Sequence, residues 1–147
     1  MNELFGRAHH ICIVVADVDA AIGYYENLGI GNWQPYPDLS QYDNEELDVP
    51  DRRAFLALRY VYTDAVAGLQ LQLVEPGPGD TPQRRFLERT GGGVFHVGFA
   101  VDDIDASTET ACAAGIPVMM SGRRDDRTGF SYLDTSERAG VVLEIRR

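Results

Sequence analysis

The chain contains no lysine: all thirteen of its basic residues are arginine. Schiff-base chemistry, a lysine general base and a Walker-type phosphate loop are thereby excluded. Cysteine is nearly as scarce, with two in 147 residues. Cys12 falls in a strand pattern and Cys112 in a helix pattern, neither at a paired metal spacing, so two buried thiols are expected and neither a disulfide nor a zinc clip. No apolar run approaches the roughly 20 residues of a membrane span. The opening Met1-Asn2-Glu3-Leu4 begins neither a basic nor an apolar signal region, so a cytoplasmic protein is expected. Positive charge is in short supply, 13 basic against 23 acidic residues, for a formal net charge of -10 and a pI near 4.6. An acidic surface argues against nucleic acid or an anionic membrane as the main partner and leaves a small molecule as the expected one.

What the sequence does have is an internal repeat. With the chain set against itself 86 residues apart, His10 falls on His96, Val15 on Val101, Asp17 on Asp103, Asp19 on Asp105, Ala20 on Ala106 and Gly29 on Gly115, without a gap. Six identities at constant offset imply a duplicated supersecondary unit. The ends of the units correspond as well: Gly68-Leu69-Gln70-Leu71-Gln72-Leu73-Val74 closes the first and Gly140-Val141-Val142-Leu143-Glu144-Ile145 the second. One domain over 1-147 is expected, with module 1 at about 6-76, a Pro/Gly linker from Pro76 to Pro82, and module 2 at about 92-147.

Within module 1, Ala8 to Val15 reads as a strand with His10, Cys12 and Val14 on one face and Ile11, Ile13 and Val15 on the other. His9 falls on the face away from His10, has Phe95 as its counterpart, and is expected to be structural. Asp17 is placed to cap a helix whose positions Val18, Ala21, Ile22, Tyr25 and Leu28 are inward, with Gly29 to end it. Ile30 to Pro37 is a short strand weakened by Pro35, and the acidic, aperiodic stretch from Asp38 to Arg53 is a loop. Ala54 to Tyr62 and Leu69 to Glu75 form a hairpin. After a short helix at Pro82 to Arg89 and three glycines at a strand entry, module 2 repeats the pattern. Strand Val94 to Val101 is followed by a helix capped by Asp103 and by strands at Ile116 to Ser121, Phe130 to Leu133 and Val141 to Ile145. The expected fold class is α+β: two tandem β-α-β-β-β modules forming a curled mixed sheet around a cleft.

Strand parity then makes a chemical suggestion. If helices cover the aliphatic faces, His10, Gln72, His96 and Glu144 lie on the opposite, concave faces and can converge about a pseudo-twofold axis. Two imidazoles, an amide oxygen and a carboxylate form a mixed nitrogen and oxygen set suited to Mn, Fe, Co, Ni or Zn, with positions open for water or substrate. A lone strand histidine is more often structural; two equivalent ones, joined by Gln and Glu at equivalent positions, favour ligation. Arg52, Arg53, Arg59, Arg123, Arg124 and Arg127 offer anion contacts but read first as solvated side chains. Trp33, Tyr36, Tyr42, Tyr60 and Tyr62 could line the cleft or be ordinary core and edge aromatics.

His10-Ile11-x-Ile13-x-Val15, Leu71-Gln72-Leu73-Val74-Glu75-Pro76, the run from Phe86 to Phe99 and Gly140-Val141-Val142-Leu143-Glu144-Ile145 resemble the vicinal oxygen chelate superfamily of glyoxalase I, bleomycin resistance protein and extradiol dioxygenase. Within it, the methylmalonyl-CoA epimerase-like branch is the most similar. The resemblance implies a divalent metal (Co, Ni, Mn, Zn or Fe) held by His10, Gln72, His96 and Glu144, with Glu144 also the base at a carbon next to a carbonyl, where the metal stabilises the enolate. It implies a lyase or isomerase acting on a small carbonyl substrate such as a CoA thioester. A homodimer is expected because open sheets leave edges to cover.

The chain departs from the epimerase pattern in one respect. Such enzymes take a second base from the strand before the Gln ligand, and Ala54 to Tyr62 holds no carboxylate; Glu45, Glu46 or Asp48 would have to swing in from the loop. Two other readings stay open: an extradiol-type Fe(II) dioxygenase using His10, His96 and Glu144, and a metal-free binding or resistance protein with an aromatic cleft.

Overall fold

The computed structural model describes residues 2–147. Module 1 supplies β1 (Ala8–Val14), α1 (Val18–Asn27), β2 (Gln34–Pro35), α2 (Arg52–Leu56), β3 (Arg59–Thr63) and β4 (Gln70–Glu75), and α3 (Pro82–Thr90) leads out of it. Module 2 supplies β5 (Gly93–Ala100), α4 (Ile104–Ala113), β6 (Val118–Arg123), β7 (Gly129–Leu133), α5 (Ser136–Ala139) and β8 (Val142–Arg146). All eight strands belong to one mixed sheet in the order β2-β3-β4-β1-β5-β8-β7-β6, curled into a half-barrel.

The duplication is visible in the topology. β1 runs parallel to β4 and β5 parallel to β8, while β1 and β5 pair antiparallel at the centre. The two histidine strands are thus neighbours, flanked by the Gln strand on one side and the Glu strand on the other. The first helix of each module starts the same way: Asp17 accepts from the Ala20 amide and Asp103 from the Ala106 amide, both at 3.0 Å. These side-chain caps satisfy amides that no preceding turn can reach.

Helices cover the two halves of the convex face. Val18 and Ile22 of α1 pack on Ile13, Val61 and Leu73, and Ile104 and Ala111 of α4 pack on Val101, Leu133 and Ile145. The concave face is no open trough. Cys12, Val14, Val74, Phe95, Phe130 and Val142 form a core there, sealed by residues from the stretch before β3.

That stretch is where the sequence expectation fails most. Residues 38–53 hold a 3-10 turn at Leu39–Tyr42, and the expected strand from Ala54 instead begins at Arg59, because Asp51 accepts from the Ala54 amide and nucleates α2. Tyr42, Leu47 and Phe55 are buried one at a time rather than on a helical or strand period, so no periodicity betrays them. The short strand expected at Ile30 to Pro37 shrinks to two residues at the sheet edge, where Pro35 has no N–H to give. Leu28, expected inward, is the C-cap of α1 and is exposed. Cys12 is buried as expected, but Cys112 is exposed, since Ala111 holds the inward position at the end of α4. Arg123 is not solvated: it is buried on β6, paired to Asp105 at 2.9 Å, and donates to the Phe130 and Gly122 carbonyls. Among the described residues, no helix is long and apolar enough to cross a membrane.

Candidate metal centre

The structure brings His10, His96 and Glu144 into mutual contact. His10 Nε2 lies 2.9 Å from both His96 Nε2 and Glu144 Oε2, and His96 Nε2 lies 2.7 Å from Glu144 Oε2. All three side chains are buried.

Their meeting depends on a residue with no side chain. Gly98 of β5 pairs with His10 on one side and Glu144 on the other, so those two strand residues are separated by two strand spacings, roughly 9–10 Å. A Cβ at Gly98 would lie 2.1 Å from Cε1 of His10. The bare backbone at Gly98 is the bed on which the His10 imidazole lies across β5 to reach Glu144.

The residues fit a divalent ion. Two Nε2 atoms and a carboxylate oxygen, 2.7–2.9 Å apart, have the spacing of adjacent ligands about an ion that holds each at roughly 2.0–2.2 Å. Glu144 and His10 are biased toward the forms that bind metal. Burial pushes Glu144 up, but the neighbouring His10 and His96, by charge and hydrogen bonds, outweigh it and hold the carboxyl below its usual range. Burial lowers His10 against the opposing pull of Glu144. An ionised carboxylate and a neutral imidazole are the forms that bind metal.

Gln72, the fourth expected ligand, is buried on β4 beside β1 and borders the same cavity as Glu144. Its amide nitrogen donates to Gln70 Oε1 at 2.8 Å, which leaves its oxygen as the free donor atom. The cavity is otherwise aromatic: Tyr36, Tyr42 and Tyr60 border it, with Arg146 at the end of β8. Trp33 does not; it packs with Tyr25 over the convex face, and its indole N–H is spent on the Ile30 carbonyl. Tyr62 borders a separate surface recess.

Sequence reasoning missed Tyr132. It is the cross-strand partner of Glu144, its ring centroid is 4.7 Å from that of His96, and its hydroxyl lies 3.1 Å from that of Tyr60, which also accepts from Gln83 Nε2 at 2.9 Å. Burial pushes both phenols well above their usual range, so both stay protonated. The signal for Tyr132 was the β7–β8 register, hidden because α5 interrupts the connection.

His9 does not face away from His10 as the alternation implied. Its ring is edge-on to His10, with Nδ1 2.8 Å from Nδ1 of His10. Ala8 pairs with Phe99 but His10 with Gly98, so the ladder slips by one residue and His9 is turned toward the site instead of away from it.

The loop carboxylates do not reach the cavity. Glu45, Glu46 and Asp48 are exposed; Glu46 pairs with Arg127, and the Asp48 backbone pairs with Ser121. Among the described residues bordering the cavity, Glu144 is the one carboxylate.

A curled eight-stranded sheet of two β-α-β-β-β modules, with two histidines and a glutamate on its concave face, defines a vicinal-oxygen-chelate protein with a candidate metal centre. The chain belongs to the glyoxalase/bleomycin resistance protein/dioxygenase superfamily, whose profile matches residues 9–133. An ethylmalonyl-CoA/methylmalonyl-CoA epimerase of Cereibacter sphaeroides is 29% identical over 121 residues, covering 81% of this chain and 78% of that protein. The crystal structure of methylmalonyl-CoA epimerase from Mycobacterium tuberculosis superposes with a TM-score of 0.73 at 21% identity, over 99% of this chain and 90% of that one. The Streptomyces coelicolor methylmalonyl-CoA epimerase in complex with 2-nitronate-propionyl-CoA follows at a TM-score of 0.69 and 23% identity, over 95% and 92%.

Proposed function

We propose that this protein is a divalent-metal-dependent isomerase that moves a proton at the carbon next to a carbonyl, on an acyl-CoA thioester or a related small acyl compound. The convergence of His10, His96 and Glu144 on the concave face carries this reading, and the epimerase relatives support the substrate class. His10, His96, Glu144 and the Gln72 oxygen would hold the ion. When bound, it supplies Lewis-acid stabilisation of the negative charge that develops on the carbonyl oxygen.

The chain's own groups do the rest. Glu144 takes the proton from the α-carbon, the C–H electron pair moving into the enolate, and returns it to carbon. Inversion needs a second proton donor, and β3, the strand from which the epimerase pattern takes a carboxylate, carries here the phenol Tyr60. Gln83 donates to Tyr60, and the Tyr60 and Tyr132 hydroxyls lie 3.1 Å apart, so whichever phenol accepts from the other keeps its own O–H free to donate toward substrate. The aromatic lining excludes water from the enolate.

The test is exchange of the α-hydrogen of acyl-CoA thioesters with deuterated water, by protein of known metal content. Exchange that needs metal and Glu144 is expected; a fully loaded protein that exchanges none of a panel of 2-substituted acyl-CoA thioesters would sink the assignment. The grouping of two histidines with one carboxylate also matches an Fe(II) oxygenase triad. Oxygen consumption by the iron-loaded protein with a catechol would favour that reading instead.

A further inference from the structure

We infer that His9 is a positioning residue for the metal centre, acting through Nδ1 of His10; the inference rests on the metal reading above. The evidence is a second, subtler duplication. The β1–β5 ladder slips twice: His9 is the extra residue on β1, between Ala8 and His10, and Phe95 is the extra residue on β5, where Cys12 pairs with His96 but Ile13 with Val94. His9 and Phe95 are 86 residues apart, the same offset as His10 and His96. Each module thus inserts one residue immediately before its site histidine, and each insertion turns a ring onto that histidine.

The two rings occupy matching slots. His9 meets His10 at a centroid distance of 5.1 Å and 86°, and Phe95 meets His96 at 5.6 Å and 72°. They differ in chemistry. Phe95 offers His96 packing alone, and His96 Nδ1 is buried without a hydrogen-bond partner. His9 offers a nitrogen 2.8 Å from His10 Nδ1. A ligand histidine that binds through Nε2 carries its proton on Nδ1, and a partner for that proton fixes both the tautomer and the ring plane. His9 accepts that proton and keeps its own on Nε2. His10 is therefore the anchored ligand, and His96 is held in place by packing.

Phe95 shows that the slot tolerates a phenylalanine, so His9→Phe keeps the packing and removes only the acceptor. The experiment measures Co(II) affinity by competition with a chromogenic chelator for wild type, His9→Phe and His9→Asn, alongside the His10 ring-proton resonances of the Zn(II)-loaded proteins. With Nε2 on the metal, wild type should show the His10 Nδ1 proton as a hydrogen-bonded, slowly exchanging resonance. His9→Phe should lose that resonance and bind Co(II) about 10–100-fold more weakly, and His9→Asn, whose side-chain oxygen can replace the acceptor, should recover much of the affinity. Wild-type affinity and an unchanged His10 Nδ1 proton resonance in His9→Phe would overturn the inference, as would equal losses in His9→Phe and His9→Asn. Failure of the wild type to bind Co(II) would instead remove the metal reading, and with it this role.

Discussion

Gly98 and Glu144 show how single residues create this site. Gly98→Ala places a methyl group where the His10 ring lies, at a separation no side chain tolerates. Metal affinity should fall by at least tenfold while the convex-face cores, which Gly98 does not touch, keep the sheet folded; titration with Co(II) and far-ultraviolet dichroism would check both halves. Glu144→Gln keeps the size and an oxygen donor but cannot accept the α-proton. It should retain metal, with weaker affinity, and lose α-hydrogen exchange by about a hundredfold or more. Full exchange in the metal-loaded variant would move the base elsewhere, first to the phenols. For those, Tyr132→Phe should lower turnover about 10–100-fold with metal content unchanged, since a hydroxyl of the phenol pair is lost but no ligand is. The grouping of His10, His96 and Glu144 was legible in sequence, because duplication and strand parity both act at the level of the single position. Gly98 was not, since its role exists only where three strands lie side by side.

At the scale of elements, the periodic ones could be read and the aperiodic ones could not. α1, α4, β4 and β8 carry a capping aspartate or an alternating apolar face, and each forms within a few residues of where the sequence places it. α2 and the turn before it escape such a reading, because a cap at Asp51 and scattered buried aromatics, not a period, fix them. The slips in the β1–β5 ladder escape it for a related reason: alternation assumes an unbroken ladder, and His9 turns on the one position where it breaks. β6 supplies a stability prediction. Arg123 is buried, and its guanidinium serves two backbone carbonyls as well as Asp105. Arg123→Ala would remove the guanidinium's bonds to both carbonyls and leave Asp105 without this partner, at a cost of about 1–3 kcal/mol, read as a lower midpoint in urea. An unchanged midpoint would mean that water replaces the guanidinium.

The whole molecule is a duplicated unit whose copies have diverged in useful ways. Pairing the copies through β1 and β5 puts two equivalent histidines at the centre of one sheet, and the flanking parallel strands then contribute a Gln in one copy and a Glu in the other. The divergence gives the centre its asymmetry: one carboxylate, one imidazole with a partner at Nδ1 and one without. The extra length of module 1 closes the cleft with Tyr42 and Phe55 and carries no carboxylate into it. All of this matters to function only if the concave group holds an ion. The direct measurement is a divalent-metal titration of wild type and His96→Ala by calorimetry, with thermal unfolding followed on the same samples. One ion per chain in the wild type, and loss of most of that affinity in a still-folded His96→Ala, is the predicted result; equal stoichiometry and affinity in the two proteins would contradict the account.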